Sequence, residues 1–249
     1  MKNDVTDFCW TSASRTDVGR FRMYNEDSVL DLPERGLWVV ADGMGGHSSG
    51  DYASNAIVSG LSGVQPPASL EAFADEVRQR LDDVNRHINE TSAQNKATMG
   101  STVVGLLANG GHGVVLWAGD SRAYRYRSGE LSRLTRDHSQ VEELVRLGLL
   151  APDEAERHPA KNLITRAVGI AESLYLDSEI LDLAVNDIFL LASDGLYQEV
   201  DEKTISECLS LGDCQSSCDA LIESTLSQLA RDNVSVVVVR IVDGEEGAH

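Results

Sequence analysis

Hydrophobic positions fall along this chain in two patterns. Short apolar runs that stop at turn residues are strand candidates, and longer stretches with apolar residues every three or four positions are helix candidates. The first kind comprises "GLWVVAD" (36–42), "STVVGLLA" (101–108), "GVVLWAGD" (113–120), "DIFLLASD" (187–194) and "NVSVVVVRIV" (233–242). The second and third runs are separated by glycine-rich turn chemistry and predict a hairpin, which "SRAYRYRSGEL" (121–131) extends as a meander. A further strand is expected just after Asp27 in "NEDSVL".

Helical spacing fills the gaps. "DYASNAIVSGL" (51–61) predicts a helix, as does "CDALIESTLSQLA" (218–230). Over 69–94 the residues Leu70, Phe73, Val77, Leu81, Val84 and Ile88 recur on one helical face, with Ser69 placed as an N-cap. "GVQPPASL" (63–70) is a loop between two helices. From Asp137 to Gly169 a charged region carries helical pieces, "HSQVEELVRLGLL" and "PDEAERH", and reads as an insertion. Strands and helices do not alternate as βαβ units. Hairpins imply antiparallel sheets covered by helices, an α+β class. The 249 residues suit a single domain.

Composition narrows the partners. Forty acidic against 21 basic residues give a formal charge of -19, which argues against nucleic acid. Hydrophobic residues make up 42%, enough for a sizeable core. The four cysteines show no zinc-ligand spacing and are expected to be reduced thiols. Residues 101–119 carry no charge, but "NGGHG" in their middle is a turn, so two strands fit better than a membrane span. "MKNDVTDFCW" lacks the apolar stretch of a signal peptide. A cytoplasmic protein without a membrane partner is expected, with a monomer as the default.

The acidic excess has a second reading. Asp42, Asp120 and Asp194 each end an apolar run, Asp232 precedes one, and Asp27 stands ahead of another. Any one of them is ordinary turn chemistry beside a strand. If the strand ends converge, however, several carboxylates meet and repel unless cations hold them. An all-oxygen set suits Mg²⁺ or Mn²⁺. Gly43 then lets the backbone approach an ion and offers its carbonyl, while Gly45 and Gly46 leave room for substrate. Two ions about 3.5–4 Å apart can share a carboxylate and activate a water towards phosphorus. Asp42 is the candidate bridge. Arg22, in "RFRMYNED", is either a bidentate phosphate clamp or a surface arginine in a charged loop.

The chain resembles the metal-dependent serine/threonine protein phosphatases of the PPM (PP2C) family, in its bacterial branch. The resemblance is carried by "TDVGRFRMYNEDS", "VVADGMGGHSSGDYAS", "MGSTVV", "AGDSRAYRYRSGEL", "LTRDHSQVEELV", "NLITRAVG", "LLASDGLY" and "DNVSVVVV", in that order along nearly the whole chain. It implies two antiparallel sheets packed face to face with helices on both outer faces. It further implies that Asp42 bridges two core Mn²⁺ or Mg²⁺ ions and that the Gly43 carbonyl binds one of them. Asp194 and Asp232 would complete the other, with Asp27 supporting the cluster and Glu26 beside it. Arg22 would bind the substrate phosphate, Asp120 and Asp194 a third, weaker ion. Residues 137–169 would form the flap, including Asn162 and Arg166 without an assigned role.

Met44 stands where eukaryotic members have a histidine that protonates the leaving group, and neither His47 nor His138 is given that task. The implied partners are phosphorylated proteins, among them a Ser/Thr kinase and its targets, and the general likeness extends to phosphatases that regulate type VI secretion. Two other readings fit the same residues. One is a non-catalytic binding relative, disfavoured because every expected acid is present; the other is a phosphatase of small esters, since substrate choice lies outside the ligands.

Overall fold

Along β3 (Leu37–Met44) successive side chains point to opposite faces, and both faces are buried. Leu37, Val39 and Ala41 pack under helices, whereas Trp38 and Val40 enter a second core between two sheets. Double burial explains why the run is apolar throughout rather than alternating. β11 (Val234–Asp243) repeats the arrangement: Val234, Val236 and Val238 face helices, and Val237, Val239 and Ile241 face the other sheet.

The computed structural model describes residues 8–45, 48–155 and 157–244, with only the backbone of Ser48. Its other strands are β1 (Phe8–Asp17), β2 (Asp27–Leu32), β4 (Gly100–Ser101), β5 (Val103–Asn109), β6 (His112–Ala118), β7 (Arg122–Arg127), β8 (Glu130–Arg133), β9 (Asp177–Asp182) and β10 (Ile188–Ala192). The helices are α1 (Ser48–Leu61), α2 (Leu70–Asn95), α3 (Gln140–Arg146), α4 (Pro152–Ala155), α5 (Asp194–Tyr197), α6 (Glu202–Leu209) and α7 (Cys214–Ser227). One sheet has the order β1-β11-β10-β7-β8; the other runs β2-β3-β5-β6-β9, with β4 on β3. Every strand pairing is antiparallel. α1 and α2 cover the second sheet, and α5, α6 and α7 cover the first, so the expected α+β sandwich is observed.

Most expected elements form where the pattern placed them. Ser69 caps α2, its Oγ accepting from the Ala72 amide at 3.2 Å. The charge-free run folds as the β5–β6 hairpin, and no described helix is long and apolar enough to cross a membrane. All four cysteines are free thiols.

The meander is corrected. β7 pairs with β10 and β8, not with β6. The chain crosses between sheets at 119–121, where Gly119 takes a φ of 112°, a conformation that favours glycine. This crossing puts Asp120 between the two sheets. Elements not anticipated from the pattern include β1, β9, α5 and α6. β1 is rich in small and polar residues, and β9 is an edge strand with Leu181 as its one buried position.

Candidate metal centre

The parity of β3 explains the acid at its end. Trp38 and Val40 point between the sheets, so the next residue of that parity is Asp42. It sits where the apolar layers run out. Asp27 is its direct register partner on β2. From the opposite sheet, Ser193, just before α5, donates its hydroxyl to Asp27 Oδ2 at 2.8 Å, and its amide bonds to the Ser235 carbonyl of β11 at 3.0 Å. Asp194 follows as the first residue of α5, and Asp232 lies in the turn entering β11. The two sheets thus deliver acids to one end of the sandwich.

Their electrostatics show that they meet. The Asp42 carboxyl lies within hydrogen-bonding reach of those of Asp27 and Asp194. Burial, then the charges of Asp27, Asp194, Asp120 and Asp232, push it well above the carboxylate range. Asp194 is raised similarly by burial and by Asp120, Asp232 and Asp27. Asp27 is pushed up to about 6 by burial, against hydroxyl hydrogen bonds that lower it. Asp120 also reaches about 6, through burial and the charge of Asp137. Glu26 is raised by burial, and its Oε1 is buried without a hydrogen-bond partner.

Gly43 has a packing role that the sequence did not suggest. A Cβ there would stand 2.1 Å from the Gly50 carbonyl oxygen of α1 and 2.6 Å from that of Glu26. The glycine therefore lets α1 close over the strand end. Gly195 is similar, because a Cβ would meet the Asn233 carbonyl at 1.9 Å. Gly46 and His47, considered above for substrate room and proton transfer, lie outside the described residues.

Arg22 is half exposed and bonds Asp232 Oδ2 at 2.6 Å. The 18–26 loop that carries it is tied to the Ala230–Asn233 segment by Arg20 N to Ala230 O and by Asn233 Nδ2 to the carbonyls of Val18 and Tyr24. Around Asp120, a cluster absent from the sequence reasoning appears. Arg122 forks onto Asp137 and lies over the Tyr197 ring at 3.5 Å, while the Tyr197 hydroxyl donates to the Asp120 carbonyl at 2.9 Å. The signal was present, since Arg122 and Asp137 stand in the quoted "AGDSRAYRYRSGEL" and "LTRDHSQVEELV". His138 is structural: its Nδ1 accepts from the Gly119 amide at 3.1 Å, and its Nε2 faces Asp177, which Arg166 also contacts.

As these side chains stand, no group of three or more His, Cys, Asp or Glu among the described residues is arranged to hold an ion. The donors nonetheless fit a hard divalent cation. They are all oxygens, Asp120 Oδ1 is buried with no partner, and Asp42 carries the unfavourable charge of four like neighbours.

Comparison with known proteins agrees with this chemistry. The family profile for Protein phosphatase 2C matches residues 22–240. The serine/threonine phosphatase Stp of Listeria welshimeri is 34% identical over 235 residues, 90% of this chain and 93% of that protein. The solved structure of PppA of Pseudomonas aeruginosa, described as a key regulatory component of T6SS, aligns with a TM-score of 0.88 at 41% identity, covering 94% of this chain and 98% of that one. The catalytic domain of the serine/threonine phosphatase PstP, in complex with 2 manganese ions, aligns at 0.84 with 34% identity, covering 95% and 100%. The fold and the relatives define a metal-dependent serine/threonine phosphatase. The chain belongs to the protein phosphatase 2C family.

Proposed function

We propose that this protein hydrolyses phosphoserine and phosphothreonine esters on proteins using two Mn²⁺ or Mg²⁺ ions. Asp42 would bridge them, with the Gly43 carbonyl, Asp194 and Asp232 as further ligands, Asp27 in support with Glu26 behind it, and Asp120 with Asp194 at a third ion. The observation that carries this reading is the Asp42 carboxyl, which meets Asp27 and Asp194 while four aspartate charges bear on it. Bound there, such ions supply an acidified water and draw negative charge from the phosphoryl oxygens. Asp42 and Asp194 fix the geometry of that centre, and Ser193 orients Asp27. The Arg22 guanidinium, at the rim beside Asp232, holds and orients the substrate phosphate through charge-assisted hydrogen bonds. Met44 offers no proton, so the leaving oxygen takes one from solvent at the site.

The whole chain acts as one phosphatase domain, with 137–169 as a flap. Both flap roots support the reading. His138 N bonds the carbonyl of Gly119, next to Asp120; Val168 pairs with Ser101, whose hydroxyl donates to the Asp42 carbonyl. A cytoplasmic location, a monomeric state and opposition to a bacterial Ser/Thr kinase complete the proposal, and the likeness to PppA extends it to regulation of type VI secretion. The test is hydrolysis of a phosphothreonine peptide. EDTA is expected to abolish it and Mn²⁺ to restore it; activity that survives full chelation contradicts the reading.

A further inference from the structure

The loop carrying Arg22 displays three large apolar side chains among four consecutive residues. Phe21 is 67% exposed, Met23 85% and Tyr24 64%. Single exposed hydrophobics are ordinary, but three within four residues of one loop are a candidate contact surface. Looseness of the backbone does not account for it. Gly19 N bonds Asp17 Oδ1 at 2.8 Å, Arg20 N bonds Ala230 O at 2.9 Å, and Glu26 N bonds Asn233 Oδ1 at 2.9 Å. Asn233 Nδ2 also holds the Tyr24 carbonyl at 3.0 Å. The backbone is therefore pinned on both sides of the exposed group, against the turn that bears Asp232.

We infer that Phe21, Met23 and Tyr24 form a preorganised apolar platform for the residues flanking the phosphorylated position of a peptide substrate. This rests on the phosphatase reading and on Arg22 as the phosphate contact. The geometry is simple. Consecutive Cα atoms are about 3.8 Å apart, so Phe21, Met23 and Tyr24 stand on the same short stretch of loop as Arg22, whose guanidinium reaches Asp232. A peptide that delivers its phosphate to Arg22 brings its flanking residues to this loop, where these exposed side chains are available to meet them. Apolar flanking residues gain by leaving water there, whereas glycine gains little. Because the platform is fixed beforehand, little ordering cost opposes the contact. The occupant is thus an extended phosphopeptide with apolar residues next to its phosphoserine or phosphothreonine.

The test pairs two phosphothreonine peptides, one flanked by leucine and phenylalanine and one by glycine, with phosphate release as the readout on the full chain. The wild type is expected to prefer the apolar peptide about tenfold in kcat/KM, which corresponds to about 1.4 kcal/mol. The triple variant Phe21→Ser, Met23→Ser, Tyr24→Ser should lose that preference, chiefly through KM, while its rate on the glycine peptide stays within about twofold. Absence of a preference in the wild type, its persistence in the variant, or an equal fall on both peptides would overturn the platform. A wild-type dimer that the triple substitution dissociates would likewise overturn it, in favour of a second copy of the chain as the occupant. If the wild type hydrolyses neither peptide with Mn²⁺ present, the phosphatase reading itself fails.

Discussion

At the scale of single residues, the site is a set of mostly buried like charges, with Arg22 at the Asp232 edge and Arg122 near Asp120. Asp42 bears the charges of four other aspartates, and Arg22 relieves Asp232 by direct contact. These positions predict different kinetic signatures. Arg22→Ala is expected to raise KM about tenfold with kcat nearly unchanged, the pattern of a lost ground-state contact worth about 1.4 kcal/mol. Asp120→Ala should leave turnover near wild type at high Mn²⁺ and reduce it at low Mn²⁺. Steady-state assays across a manganese series check both, and an Arg22→Ala enzyme with normal KM would remove the arginine from the phosphate.

Elements decide whether those residues meet. The acids were legible because each abuts an apolar run whose strand character was plain, as at "LLASD" and "VVAD". The two-sheet class was legible from the hairpins and the family motifs. The crossing at Gly119 was not, because a meander and a change of sheet share the same local pattern. β1 was missed because its small and polar residues gain their strand form from a ten-residue pairing with β11, a non-local cause. The packing role of Gly43 was not legible for the same reason: the Gly50 carbonyl that excludes a side chain belongs to α1. Close contacts of this kind are testable without touching a carboxylate. Gly43→Ala and Gly195→Ala should each weaken Mn²⁺ binding at least about tenfold by displacing the elements that carry Asp42 and Asp194. Gly63→Ala, where a Cβ meets nothing within 4 Å, should bind as the wild type does. Manganese titration of the three variants reads the difference.

For the whole molecule, the centre is a concentrated part of a chain with a formal charge of -19. Asp27 and Asp120 titrate near 6 in the folded protein, against an ordinary value of 3.8. Between those values the folded chain holds protons that the unfolded chain has released. Stability without ions therefore falls as pH rises through about 4 to 6. Above that window Asp27 and Asp120 are ionised and repel their neighbours, and divalent ions replace the lost protons. Ion binding should release protons near pH 6 and weaken as pH falls. The most direct measurement is calorimetric titration of Mn²⁺ into the chelator-treated full chain at pH 7.5 and pH 5, beside the Asp42→Ala variant. The account predicts at least two ions bound at pH 7.5, much weaker binding at pH 5, and loss of the paired sites in the variant. Binding that is equal at both pH values and unchanged in Asp42→Ala would contradict it.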